Sequence, residues 1–126
     1  MNLSLARQQY SMTKENNVSD ADQNAFAVKL AMEQLLKAMN DLMSNVSIED
    51  KEQNLEIALT RIYLLQKCLD FEAGGDLAKN LFRVYEHVRQ EIIKNSISDT
   101  DKIDLENAIA YITLIYDGWR EIINKA

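Results

Sequence analysis

The sequence predicts an all-α fold, an antiparallel up-down four-helix bundle with a short N-terminal arm or extra helix, on three observations. The 126 residues include no proline and only three glycines, so the residues that interrupt helices are nearly missing. Apolar residues recur at alternating steps of three and four, the spacing of one helix face. Phrases of a serine followed by acids recur along the chain, and such phrases open helices. With 47% of residues apolar, one domain of this length can bury a core without a disulfide or a structural metal.

Each helix has its own start signal. In Ser19-Asp-Ala-Asp22, Ser47-Ile-Glu-Asp50 and Ser98-Asp-Thr-Asp101 the serine can accept from free backbone N–H groups. The acids that follow sit against the positive end of the helix dipole. A fourth start is predicted at Gly74-Gly75, where the first glycine takes the left-handed conformation and Asp76 opens the next helix. Helices are therefore expected near 19–45, 48–73, 76–95 and 99–124, with short connections that favour antiparallel neighbours.

The apolar stripes agree with this division. Val28, Met32, Leu35, Met39, Leu42 and Val46 share one face of the first helix. Leu55, Ala58, Leu59, Ile62, Leu65 and Leu69 share one face of the second, and Leu77, Leu81, Val84, Val88 and Ile92 one face of the third. The fourth carries Leu105, Ala108, Ile109, Ile112, Ile115, Trp119 and Ile122. Each large side chain that is buried contributes roughly 1.5–3 kcal/mol, so four such stripes suffice for a core. Residues 1–18 are polar and lack acids as far as Lys14, which gives the first 14 residues a charge of +2 against -8 for the rest. They are expected to form the arm, and residues 19–126 the bundle.

Composition excludes several functions. A net charge of -6 repels phosphate backbones, so nucleic acid is not an expected partner. The longest apolar run, Ile62 to Leu65, is far shorter than a bilayer span, so no membrane insertion is expected. A single cysteine and the lack of a basic-then-apolar leader predict a cytoplasmic protein. Catalysis needs convergent reactive groups, and the chain has one His and one Cys. Cys68 lies in an apolar helical stretch that suits an inert thiol. The Glu-x-x-His pairs of di-iron bundles and the glycine loops that cradle phosphate are missing. Hence no enzyme activity, cofactor or metal site is predicted. A histidine phosphotransfer bundle is the alternative from another class, but His87-Val-Arg-Gln-Glu91 lacks the lysine and small residues that follow such a histidine.

Two helices carry more apolar surface than one core requires. At about 100° per residue, Ile57, Leu64 and Phe71 fall nearly opposite the core stripe of the second helix, with Thr60 and Cys68 beside them. Ile103, Ala110 and Leu114 do the same on the fourth. A helix apolar on both sides needs cover on both. A partner segment can provide it, as can a splayed packing of the bundle itself, the N-terminal arm through Leu3, Ala6 and Tyr10, or a homodimer contact. The two stripes belong to diagonal helices, so a long flexible segment wrapped around the outside reaches both where a compact groove does not. The predicted partner-binding residues are Tyr10, Ile57, Leu64, Cys68, Phe71, Ile103, Ala110 and Leu114.

The segment Leu69-Asp-Phe-Glu-Ala-Gly-Gly-Asp-Leu-Ala-Lys-Asn-Leu81, followed by Tyr85, Arg89, Ile92 and Asn95, resembles the FliS-type flagellar export chaperones. Trp119-Arg-Glu-Ile122 is similar to the end of that family's last helix. The first helix departs from the family: Ser19 is followed by Asp20 where the family usually has proline, and positions 27–30 carry no Leu-Tyr-Asp-Gly phrase. The resemblance implies a cytoplasmic bundle that wraps the disordered C-terminal segment of flagellin. It also implies prevention of premature polymerisation and presentation of cargo to the type III export gate. A self-associating structural bundle is the remaining alternative.

Overall fold

The computed structural model describes residues 18–44, 47–97 and 102–125. Four helices follow one another, α1 over Val18–Met43, α2 over Ile48–Lys67, α3 over Phe71–Ile97 and α4 over Ile103–Lys125. Each packs against its two ring neighbours, α1 on α2 and α4, and α3 on the same pair. Contacts fix the antiparallel sense. Lys102 at the start of α4 donates to the carbonyls of Leu42 and Met43 at the end of α1, and Trp119 near the end of α4 donates to Ala25 near its beginning. On the other side Lys94 of α3 pairs with Asp104 of α4 at 3.0 Å. No described helix is long and apolar enough to cross a membrane.

The helix starts differ in detail from expectation. Ser47 caps α2 as anticipated, its Oγ accepting from Asp50 N–H at 3.2 Å while Glu49 and Asp50 lie in the first turn. Ser19 instead lies inside α1, which begins at Val18. The phrase beginning at Ser98, and the N-terminal arm up to residue 17, lie outside the described residues. α2 stops at Lys67, six residues short of the predicted 73. The reason is Asp70, whose Oδ1 accepts from the backbone of Glu72 and Ala73 and so opens a new helical turn at Phe71. That turn is separated from the rest of α3 by Gly75, at φ 54° and ψ -132°. It is thus the second glycine of the pair, not the first, that adopts the positive φ disfavoured for any residue with a Cβ.

The core is built from part of each predicted stripe, with Leu55, Leu59, Leu81, Val84, Ile109 and Ile115 only half-buried against it, Leu77 half-exposed and Val46 outside the described residues. Val28, Met32, Leu35, Met39 and Leu42 of α1 are buried, as are Ala58, Ile62 and Leu65 of α2, Val88 and Ile92 of α3, and Leu105, Ala108, Ile112 and Trp119 of α4. Leu69, in the link after α2, is buried with them. Tyr85 was not on the predicted stripe of α3 yet is fully buried. It lies about 20° beyond Ile92 on the helical net and so widens the buried arc. Among the described residues two polar side chains are enclosed, Gln66 and Asn95. Gln66 donates to Glu86 across the α2–α3 seam, and Glu86 also receives Arg89. Arg89 first and Gln66 second hold the Glu86 carboxyl down at about 2. The other, Asn95, has its side-chain carbonyl oxygen unpaired.

Candidate apolar partner-binding surface

The outer face of α4 is the site's clearest part. Ile103, Ala110 and Leu114 follow at steps of seven and four, so they share a face about 180° from the buried Leu105, Ala108 and Ile112. Packing of the Leu105, Ala108 and Ile112 stripe into the core satisfies the helix on one side only. Leu114 is 72% exposed and Ile103 61%. Tyr111 flanks them, half-exposed, its ring 6.0 Å from that of His87 on α3. On the opposite flank, Tyr116 donates to Glu33 of α1 at 2.7 Å. That carboxylate acceptor raises the affinity of Tyr116 for its proton, and Arg120 lies 5.5 Å over the Tyr116 ring. α4 is thereby anchored on both sides, leaving its apolar outer face uncovered by the described residues.

The second predicted stripe is placed differently. Ile57 and Leu64 are only half-exposed and pack against the core. Leu64 meets Asn24, Ala27, Val28 and Ala31 of α1 around a crevice of about 30 Å³, which Leu65 and Cys68 also line. The physical reason is the small side chains of α1. Ala27 and Ala31 leave room for Leu64, so a stripe that looks surplus on α2 alone becomes the α1–α2 contact. Cys68, predicted as a surface contact beside it, is 3% exposed and belongs to the core. Burial pushes its thiol pKa up, which keeps it an unreactive thiol at neutral pH. Phe71 is exposed, but the early end of α2 removes it from the stripe. It stands at the α2–α3 corner, edge-on to Phe82 at 5.7 Å. Tyr10 lies outside the described residues.

Of the predicted residues, then, the structure brings together Ile103, Ala110 and Leu114, and separately Ile57 with Leu64. Sequence reasoning missed Phe26 and Leu30, both more than half exposed on α1. Their signal was available: four residues apart and outside the Val28/Met32 stripe, they are a second apolar pair on the same helix. They sit two turns and one turn before Glu33, on the outward face of α1 between Glu33 and Gln34 on the helical net. Exposed Tyr63 and Phe82 line the α2–α3 side. No group of three or more His, Cys, Asp or Glu side chains that could hold a metal occurs among the described residues.

An antiparallel helical bundle whose last helix has an exposed apolar outer face suits a protein that holds another chain. The sequence model of the family described as Flagellar protein FliS matches residues 6–126. The chain belongs to the FliS family. It is 32% identical over 92 residues to the flagellar secretion chaperone FliS of Vibrio cholerae, an alignment covering 73% of this chain and 66% of that protein. It is 31% identical over 119 residues to the flagellar secretion chaperone FliSB of Pseudomonas aeruginosa, covering 90% of this chain and 92% of that one. No solved structure matches. FliS membership makes the chain non-enzymatic and sets the phosphotransfer alternative aside. His87 is an exposed residue on α3 whose described contact is with Tyr111. His87→Gln is accordingly expected to leave partner binding within about twofold of wild type, measured by titration calorimetry; loss of function with the fold intact would return phosphotransfer to consideration.

Proposed function

We propose that this FliS-family chain is a flagellar secretion chaperone that binds the disordered C-terminal segment of flagellin in the cytoplasm. It keeps the segment from polymerising and presents it for type III export at the export gate. The observation that carries this reading is the outer face of α4, where Ile103, Ala110 and Leu114 are exposed in a row on a helix whose other sides are anchored. A disordered segment gains affinity by laying apolar side chains on such a face, offsetting its ordering cost through contact area. Phe26 and Leu30 extend the surface on α1, and Phe71 with Phe82 offers a further aromatic contact to a wrapping chain.

The test is a calorimetric titration of the full chain with a synthetic flagellin C-terminal peptide, for wild type and Leu114→Asp. Leu114 makes little contribution to the core, so the variant is expected to melt within a few degrees of wild type. The new carboxylate must lose its water when a cargo segment covers it, so binding is expected to weaken at least tenfold, about 1.4 kcal/mol or more. Equal binding by both proteins would remove α4 from the site.

A further inference from the structure

Gly118 lies inside α4, six residues after Ile112 and in the middle of regular helix, where glycine is among the least favourable residues. Packing does not require it. The residue is exposed, and a β-carbon built on it would have no neighbouring heavy atom within 4 Å. Its backbone does not require it either, since Gly75 has the single positive φ among the described residues. A helix-weakening residue with neither cause needs another. Gly118 is four residues after Leu114 and seven after Tyr111, so it falls within about 40° of both on the helical net. It therefore stands at the end of the exposed row on the side turned towards α3 and His87.

We propose that Gly118 is a specificity-determining position of the cargo surface. By omitting a side chain it lets the main chain of a bound apolar segment lie directly on α4 beside Leu114 and Tyr111. The inference rests on the reading of α4 as the flagellin-binding face. Glycine at a point of close backbone approach serves the same purpose in other recognition sites. The cost of that choice is paid by the free protein, in a weaker helix.

Stability and affinity consequently move in opposite directions when the position is filled. Gly118→Ala and Gly118→Leu are expected to raise the melting temperature of the free chain by about 3–6 °C, because both residues favour helix. Affinity for the flagellin C-terminal peptide is expected to fall about threefold for alanine and at least tenfold for leucine. Gln53→Leu, an exposed site on α2, controls for added apolar bulk and is expected to bind as wild type. Leu114→Asp separates the two levels of the argument. If Leu114→Asp weakens binding while Gly118→Leu binds as wild type, the open position at 118 has no role and the inference fails alone. If neither weakens binding, or wild type does not bind, the assignment of α4 fails and takes the inference with it. Equal weakening by Gln53→Leu and Gly118→Leu would also overturn it, since bulk anywhere would then suffice.

Discussion

Ile62→Asp is expected to abolish the folded state. Ile62 is fully buried in the second half of α2, in the cluster that includes Leu65, Met32 and Ile92. Removing its side chain costs roughly 2–5 kcal/mol in lost transfer energy and cavity. The carboxylate that replaces it has no described cation within the core to pair with, and its desolvation adds several kcal/mol more. Together these are comparable to the roughly 5–15 kcal/mol by which a domain of this size is stable. Far-UV circular dichroism at 25 °C is therefore expected to show lost helix and no cooperative melt. A folded Ile62→Asp protein melting near wild type would mean that α2 turns a different face to the core.

The residues around Ile62 explain how much of this protein was legible from its sequence. A core stripe is a local property: spacing of three and four decides it within one helix, and Ile62, Leu65, Met32 and Ile112 were assigned without knowing what they touch. The second stripe is not local. Whether Leu64 meets solvent or α1 depends on the size of Ala27 and Ala31, thirty or more residues away. Periodicity within α2 contains no record of that. Leu114 raises the same question on α4 and receives the opposite answer, because α4 meets its neighbours through flanking groups, Tyr116 with Glu33 and Tyr111 with His87.

Cap chemistry was legible where a side chain had one backbone to serve. Ser47 behaves as its sequence context demands. At the end of α2 two signals compete, the glycine pair and Asp70, and Asp70 acts first by bonding two successive backbone N–H groups. That single aspartate moves Phe71 from the end of α2 to the start of α3, and with it the role of the ring. Family likeness through the Gly-Gly phrase carried the function further than the physics of any one helix did, since exposed apolar residues announce a partner without describing it.

Trp119→Ala is expected to show the other extreme of α4, five residues from Leu114. Trp119 is buried against the core, and its indole N–H donates to the carbonyl of Ala25 at 3.2 Å, tying the end of α4 to the first half of α1. Truncation leaves a large cavity and removes the indole's bond to α1, a loss of roughly 3–5 kcal/mol. For a chain of this length that is a fall in melting temperature of about 10–20 °C. Trp119→Phe keeps most of the burial and loses the donor, so about half that fall or less is expected. Being the single tryptophan, Trp119 also reports on its own surroundings: its fluorescence is expected to be blue-shifted in the free protein and to move to longer wavelength only as the bundle melts. Leu114→Asp inverts the pattern, holding the melt and losing the cargo. The decisive measurement is flagellin-peptide titration of Trp119→Phe well below its melting temperature, where binding within about threefold of wild type is expected. A Trp119→Ala protein that melts like wild type yet fails to bind would place the indole in the partner surface and leave the α1–α4 seam without its main anchor.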